Sequence, residues 1–130
     1  MTMEREQFEH YIEEAIHEVP ERLREKITNV AFVIEDDVRA ARTTEREVKT
    51  RGMLLGLYQG IPLSRRGVNY GSVLPDKITL FKNAIERVAG ADEQRIRKLI
   101  RDVVHHEIGH YFGIDEHGVR KLERKRRKKN

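Results

Sequence analysis

Residues 106–110 read His-Glu-Ile-Gly-His, and a glycine follows at position 113. This spacing constrains the fold more than any other feature of the chain. Imidazoles at i and i+4 converge only on an α-helix, where 3.6 residues per turn brings them onto one face. Gly113 then marks the helix end, because glycine readily takes the left-handed conformation that turns a chain sharply back. The pattern predicts a helix over 93–112, with Asp92 as its N-cap. Ile96, Leu99 and Val103 form an apolar stripe that leads directly to His106 and His110. Four of the six histidines fall between Val103 and His117. His105 reads as an exposed or supporting residue, and His10 and His17 as polar-face residues of the first helix.

Chance accounts poorly for the motif. Shuffling this composition yields H-E-x-x-H about 0.03 times per chain, and about 0.002 times once a glycine seven residues after the first His is required. The plain alternative is two core histidines satisfied by other polar groups, but imidazoles amid apolar side chains need a partner, and a metal ion is a good one. The spacing suits zinc, which acidifies its bound water towards a pKa of ~7, and a neighbouring carboxylate can take the released proton. Glu107 is therefore the candidate catalytic base, and later the proton donor to a leaving amine. Past Gly113 the candidates for a third ligand are Asp115, Glu116 and His117. Extending the motif to H-E-x-x-H-x-x-G-x-x-ligand lands on Glu116, so the expected metal ligands are His106, His110 and Glu116, and the expected ion is Zn2+. Asp115 reads as the N-cap of a final helix, and His117 is one place out of register.

The rest of the chain supplies a mixture of helices and strands. Phe8, Ile12, Ala15, Ile16 and Val19 share one helical face, which predicts a helix over 4–19, interrupted by Pro20. Leu23, Ile27 and Val30 continue the helical spacing before "NVAFVIEDD" turns into a strand. Residues 38–51 have hardly any apolar face and read as a mobile connection or marginal helix. "GMLLGLYQGIPL" predicts a second strand, "SRRGVNYGSVLPD" a long loop, "KITLF" a third strand, and "KNAIERVAG" a short helix closed by Gly90.

Size and charge set outer limits. A chain of 130 residues can bury one core but cannot frame a deep cleft between two large lobes. There is no cysteine, which excludes disulfide and thiolate chemistry. The N-terminal stretch is acidic and amphipathic, unlike a leader, and no apolar run is long enough to span a membrane, so the expected location is cytoplasmic. The formal charge is +4, yet residues 120–130 alone carry +7, leaving −3 on residues 1–119. This divides the chain into a folded body, 1–119, and a basic tail, 120–130. The tail reads as a solvated end; it has no aromatic residue for base stacking, so only a weak nucleic-acid contact is expected there.

The segments "GLYQGIPLSRR", "LPDKITLF" and "HEIGHYFGIDE" resemble the minimal zincin-like metallopeptidases of small bacterial proteins, over about Ile34 to Leu122. The resemblance implies an α+β fold, with a small mixed β-sheet packed on the H-E-x-x-H helix, and an acidic third ligand as in aspzincins. Here Glu116 takes the place usually held by Asp. It also implies a zinc-dependent peptidase that hydrolyses peptide bonds with a metal-activated water. The expected partner is then a peptide or protein substrate, lying extended against an edge strand for which "KITLF" is the candidate. The alternative is a degenerate zincin scaffold that binds protein or nucleic acid; a homodimer is left open by either reading.

Overall fold

The structure, a computed structural model, describes residues 3–38, 54–62 and 75–114. The expectations for the connection after Val38, for 64–74 of the long loop, for the ligand candidates Asp115, Glu116 and His117, and for the basic tail lie outside the described residues.

Helix α1, Arg5–His17, buries Phe8, Tyr11, Ile12 and Ala15, the face predicted from spacing. His10 and His17 are exposed on it, as expected. Pro20 is the N-cap of a single turn, α2, Glu21–Arg24. The helical spacing does not persist as far as Val30. Asn29 has a φ of 55°, a left-handed value that asparagine tolerates and a helix does not, and Val30 opens strand β1, Val30–Glu35.

Two further strands complete a three-stranded sheet: β2, Gly56–Gln59, and β3, Asp76–Phe81. The order is β1-β3-β2, with β1 parallel to β3 from Val30↔Asp76 to Glu35↔Phe81 and β2 antiparallel to it from Gly56↔Leu80 to Gln59↔Lys77. The sheet is mixed, as the resemblance implied. "KITLF", however, is the central strand and cannot be the edge that receives a peptide. Ile78 and Leu80 are buried on one face and Thr79 and Phe81 on the other, so the strand is covered on both faces as well as paired along both edges. Among the described residues the edges are β1 and β2. Arg5 covers part of the first, donating from Nη1 to the Ile34 carbonyl and from Nη2 to Asp36, both at 3.1 Å.

Helix α3, Lys82–Ala89, follows β3 directly and stops at Gly90, whose φ is 82°. Helix α4, Glu93–Tyr111, is the predicted long helix, and Asp92 caps it, accepting from the amides of Gln94 and Arg95 at 2.9 and 3.4 Å. One face of α4 carries Ile96, Ile100, Val103, Val104 and Ile108 into a core shared with Phe8, Ile12, Ala15, Ile78 and Leu80. Helix α1 thus backs α4 from one side while β2 and β3 cover it from the other.

Candidate metal centre

The last two turns of α4 bring the motif together. His106 and Glu107 are 6% and 4% exposed, so both enter the protein rather than solvent, while His110 is half-buried. The imidazoles of His106 and His110 lie with ring centroids 5.0 Å apart at an interplanar angle of 72°. One donor atom from each of His106, Glu107 and His110 falls within 4.8 Å of the others. Two borderline nitrogen donors beside a carboxylate are a donor set that suits zinc.

The helix end explains how His110 is oriented. Gly113 has a φ of 91°, its amide donates to the His110 carbonyl at 2.9 Å, and the Ile114 amide donates to the Gly109 carbonyl at 3.0 Å. These are the two hydrogen bonds of a Schellman motif, and the left-handed residue is the glycine that sequence reasoning singled out. The Ile114 carbonyl, folded back by that turn, lies 3.1 Å from Nδ1 of His110. A carbonyl can only accept, so Nδ1 carries the proton there, and it is Nε2 that the neutral ring would offer to a metal. The same glycine therefore ends the helix and fixes the tautomer of a candidate ligand.

The profile of a family described as zincin-like metallopeptidase matches residues 27–126. The chain belongs to this family. A search of curated proteins finds no match. The matched span of this zincin-like chain takes in the sheet, α3, α4 and the acidic residues after Gly113, and it begins after α1 and α2.

The structure brings three of the predicted site residues together, His106, Glu107 and His110; Glu116 lies beyond the described residues. His105 is neither exposed nor part of the cluster. It is half-buried, and its Nε2 lies 2.8 Å from the Ala15 carbonyl, which ties the site helix to α1.

Sequence reasoning missed the residues that hold β2 against α4. A Cβ on Gly56 would stand 2.5 Å from Cγ1 of Val103 and 3.4 Å from Cγ of Glu107. Tyr58 sets its ring edge-on to Tyr111, at 6.1 Å between centroids, and donates its hydroxyl to the buried Asp76 at 2.7 Å. Tyr111, fully buried next to His110, donates to the Lys26 carbonyl at 3.0 Å. The only advance signal was the pair of glycines flanking "LYQ".

A groove of about 380 Å³ runs between α1 and α4, lined by Tyr11, Glu14, Glu18, Arg97, Lys98 and Arg101 among others. It shares no residue with the histidine cluster. Its charges largely answer each other, with Arg97 Nε 2.5 Å from Glu14 and Arg101 Nε 3.9 Å from Glu18, which makes it a surface ion ladder between two helices.

Proposed function

We propose that this zincin-like chain is a zinc-dependent peptidase in which Glu107 is the general base. The observation that carries the proposal is the burial of Glu107 within 4.8 Å of both imidazole donors. A scaffold kept only for binding a partner has no use for a buried carboxylate at that position, whereas hydrolysis requires one.

His106, His110 and Glu116 would hold the ion, three protein ligands being the usual complement of a catalytic zinc site. Bound there, zinc would supply Lewis-acid chemistry, polarising a scissile carbonyl and acidifying a water. Glu107 takes the proton of the attacking water and delivers it to the departing amine. The Ile114 carbonyl keeps the His110 ring turned towards the site throughout.

For the substrate we propose an extended peptide added along β2, the strand that passes Glu107, in place of the central β3. The Phe81 amide donates to the Leu55 carbonyl at 2.9 Å, which marks that pair as hydrogen-bonded. By the alternation of an antiparallel ladder, the backbone groups of Gly56 and Tyr58 then point away from β3, towards the outer edge.

Protein purified without a His tag should contain close to one zinc per chain, and His106→Ala with His110→Ala should abolish it. Glu107→Gln should retain metal and fold yet lose cleavage of a quenched-fluorescence peptide pool, because an amide cannot accept the proton. Glu116→Ala should weaken zinc binding while Asp115→Ala and His117→Ala do not. A Glu107→Gln variant as fast as the parent sinks the mechanism; zinc loss in His117→Ala instead of Glu116→Ala moves the third ligand.

A further inference from the structure

The segment Gly56-Leu57-Tyr58-Gln59-Gly60 runs along β2 and one residue beyond it; strand alternation puts 56 and 58 on one face, and Gly60 meets Asp76, the residue that Tyr58 also reaches. Each makes a contact that its residue type alone allows. At Gly56 a Cβ would collide with Val103 at 2.5 Å and press on the Thr79 carbonyl at 3.3 Å, so the strand lies closer to α4 than any side chain permits. At Gly60, across the ladder, a Cβ would overlap the Asp76 carboxylate, with Oδ1 only 2.6 Å away. Between them Tyr58 spans both neighbours, its ring against Tyr111 of α4 and its hydroxyl on Asp76 of β3.

We propose that this face is a positioning element, and that Gly56 sets the depth at which the edge strand passes Glu107. The proposal rests on the peptidase reading of the site and adds a residue that acts through another. The β2 backbone is the rail along which a paired peptide is registered, so its height above α4 fixes how far the scissile carbonyl stands from Glu107. Val103 lies one helical turn before Glu107 on the same face, and the two side chains meet the Gly56 position together, at 2.5 and 3.4 Å. A methyl group at residue 56 lifts the rail and leaves His106 and His110, further along α4, in place. Its effect therefore falls on the alignment of substrate and base, and metal binding is spared.

Four proteins test this: the parent, Gly56→Ala, Val103→Ala, and the double variant, in which loss of Cγ1 makes room for the new methyl. Each is assayed for cobalt(II) uptake by its visible spectrum, for thermal melting, and for kcat and KM on a quenched-fluorescence peptide pool. We expect Gly56→Ala to take up cobalt with the parent's spectrum and to lose about 10²-fold in kcat, the scale of an ångström's misplacement. The double variant should recover to within about threefold of Val103→Ala, a non-additivity expected of residues in contact. If Gly56→Ala fails to fold, the double variant decides: folded and as active as Val103→Ala, it supports the proposal; folded and inactive, it overturns it. A folded, cobalt-loaded Gly56→Ala that cleaves like the parent also overturns it. A parent that binds cobalt and cleaves nothing brings down the peptidase reading itself, and this proposal with it, which separates the two failures.

Discussion

Glu107 and Asp76 are both 4% exposed, and the structure treats these two buried carboxylates differently. Asp76 receives the Tyr58 hydroxyl at 2.7 Å and lies against Gly60, the setting of a structural acid that joins β2 to β3. Glu107 has a carboxylate oxygen within 4.8 Å of a donor nitrogen from each of two imidazoles, close enough for the group to share one ion. Tyr58→Phe keeps the ring beside Tyr111 but removes a donor from Asp76, and should cost about 1–3 kcal/mol in denaturant unfolding with zinc content unchanged. A loss of zinc on that substitution would show that Asp76 belongs to the site. At this scale the sequence was informative about chemistry and poor about support. His106, Glu107 and His110 announce themselves by type and spacing, whereas the importance of Gly56 and Tyr58 lies in atoms far away along the chain, to which no local pattern points.

Helix α4 is the element in which both ends could be read in advance. Asp92 and Gly113 are residue types whose backbone and side-chain chemistry favours a particular terminus, so no tertiary information was needed to place them. The role of Gly113 in orienting His110 makes a testable link between helix end and candidate ligand. Gly113→Ala forces an L-residue to a φ of 91°, at a cost of about 1–2 kcal/mol. By shifting the Ile114 carbonyl it should also weaken zinc binding about 10-fold to 100-fold, the usual effect of losing a ligand's supporting hydrogen bond. Unchanged zinc titrations would detach the turn from the site. At the other end of α4, the Tyr11 hydroxyl donates to Glu93 at 2.7 Å, and that bond together with burial raises the phenol's pKa above its ordinary 10.0. The unfolded chain loses this proton first, so the contribution is complete below pH 10 and disappears as pH climbs through the folded-state value. Tyr11→Phe should flatten the alkaline fall in melting temperature above about pH 10; identical slopes would exclude this coupling. Periodicity located the strands but not their order. That "KITLF" is central follows from pairings with β1 and β2, which are non-local and leave no mark on the strand beyond its apolar content.

For the whole molecule, the family match and the structural core have different limits. Helix α1 precedes the matched residues 27–126, yet Phe8, Ile12 and Ala15 share the core of α4, and the Ala15 carbonyl receives His105. Among the described residues no helix is long and apolar enough to cross a membrane. The strand order β1-β3-β2 adds a constraint on time. A ribosome delivers β1, then β2, then β3, but the first two meet only across the third. Until Phe81 has emerged, β1 and β2 lack the strand that joins them, and until α4 follows, the apolar face of α1 lacks its main partner. Every residue of the His106–His110 motif is made after that point. The nascent chain thus exposes its backbone to proteases before its candidate metal centre exists. A fragment ending at residue 90 should be digested by added thermolysin about as fast as an unfolded chain, while the full-length protein resists. A protected fragment would mean that the sheet closes without its helix, before any residue of the candidate metal centre has been made.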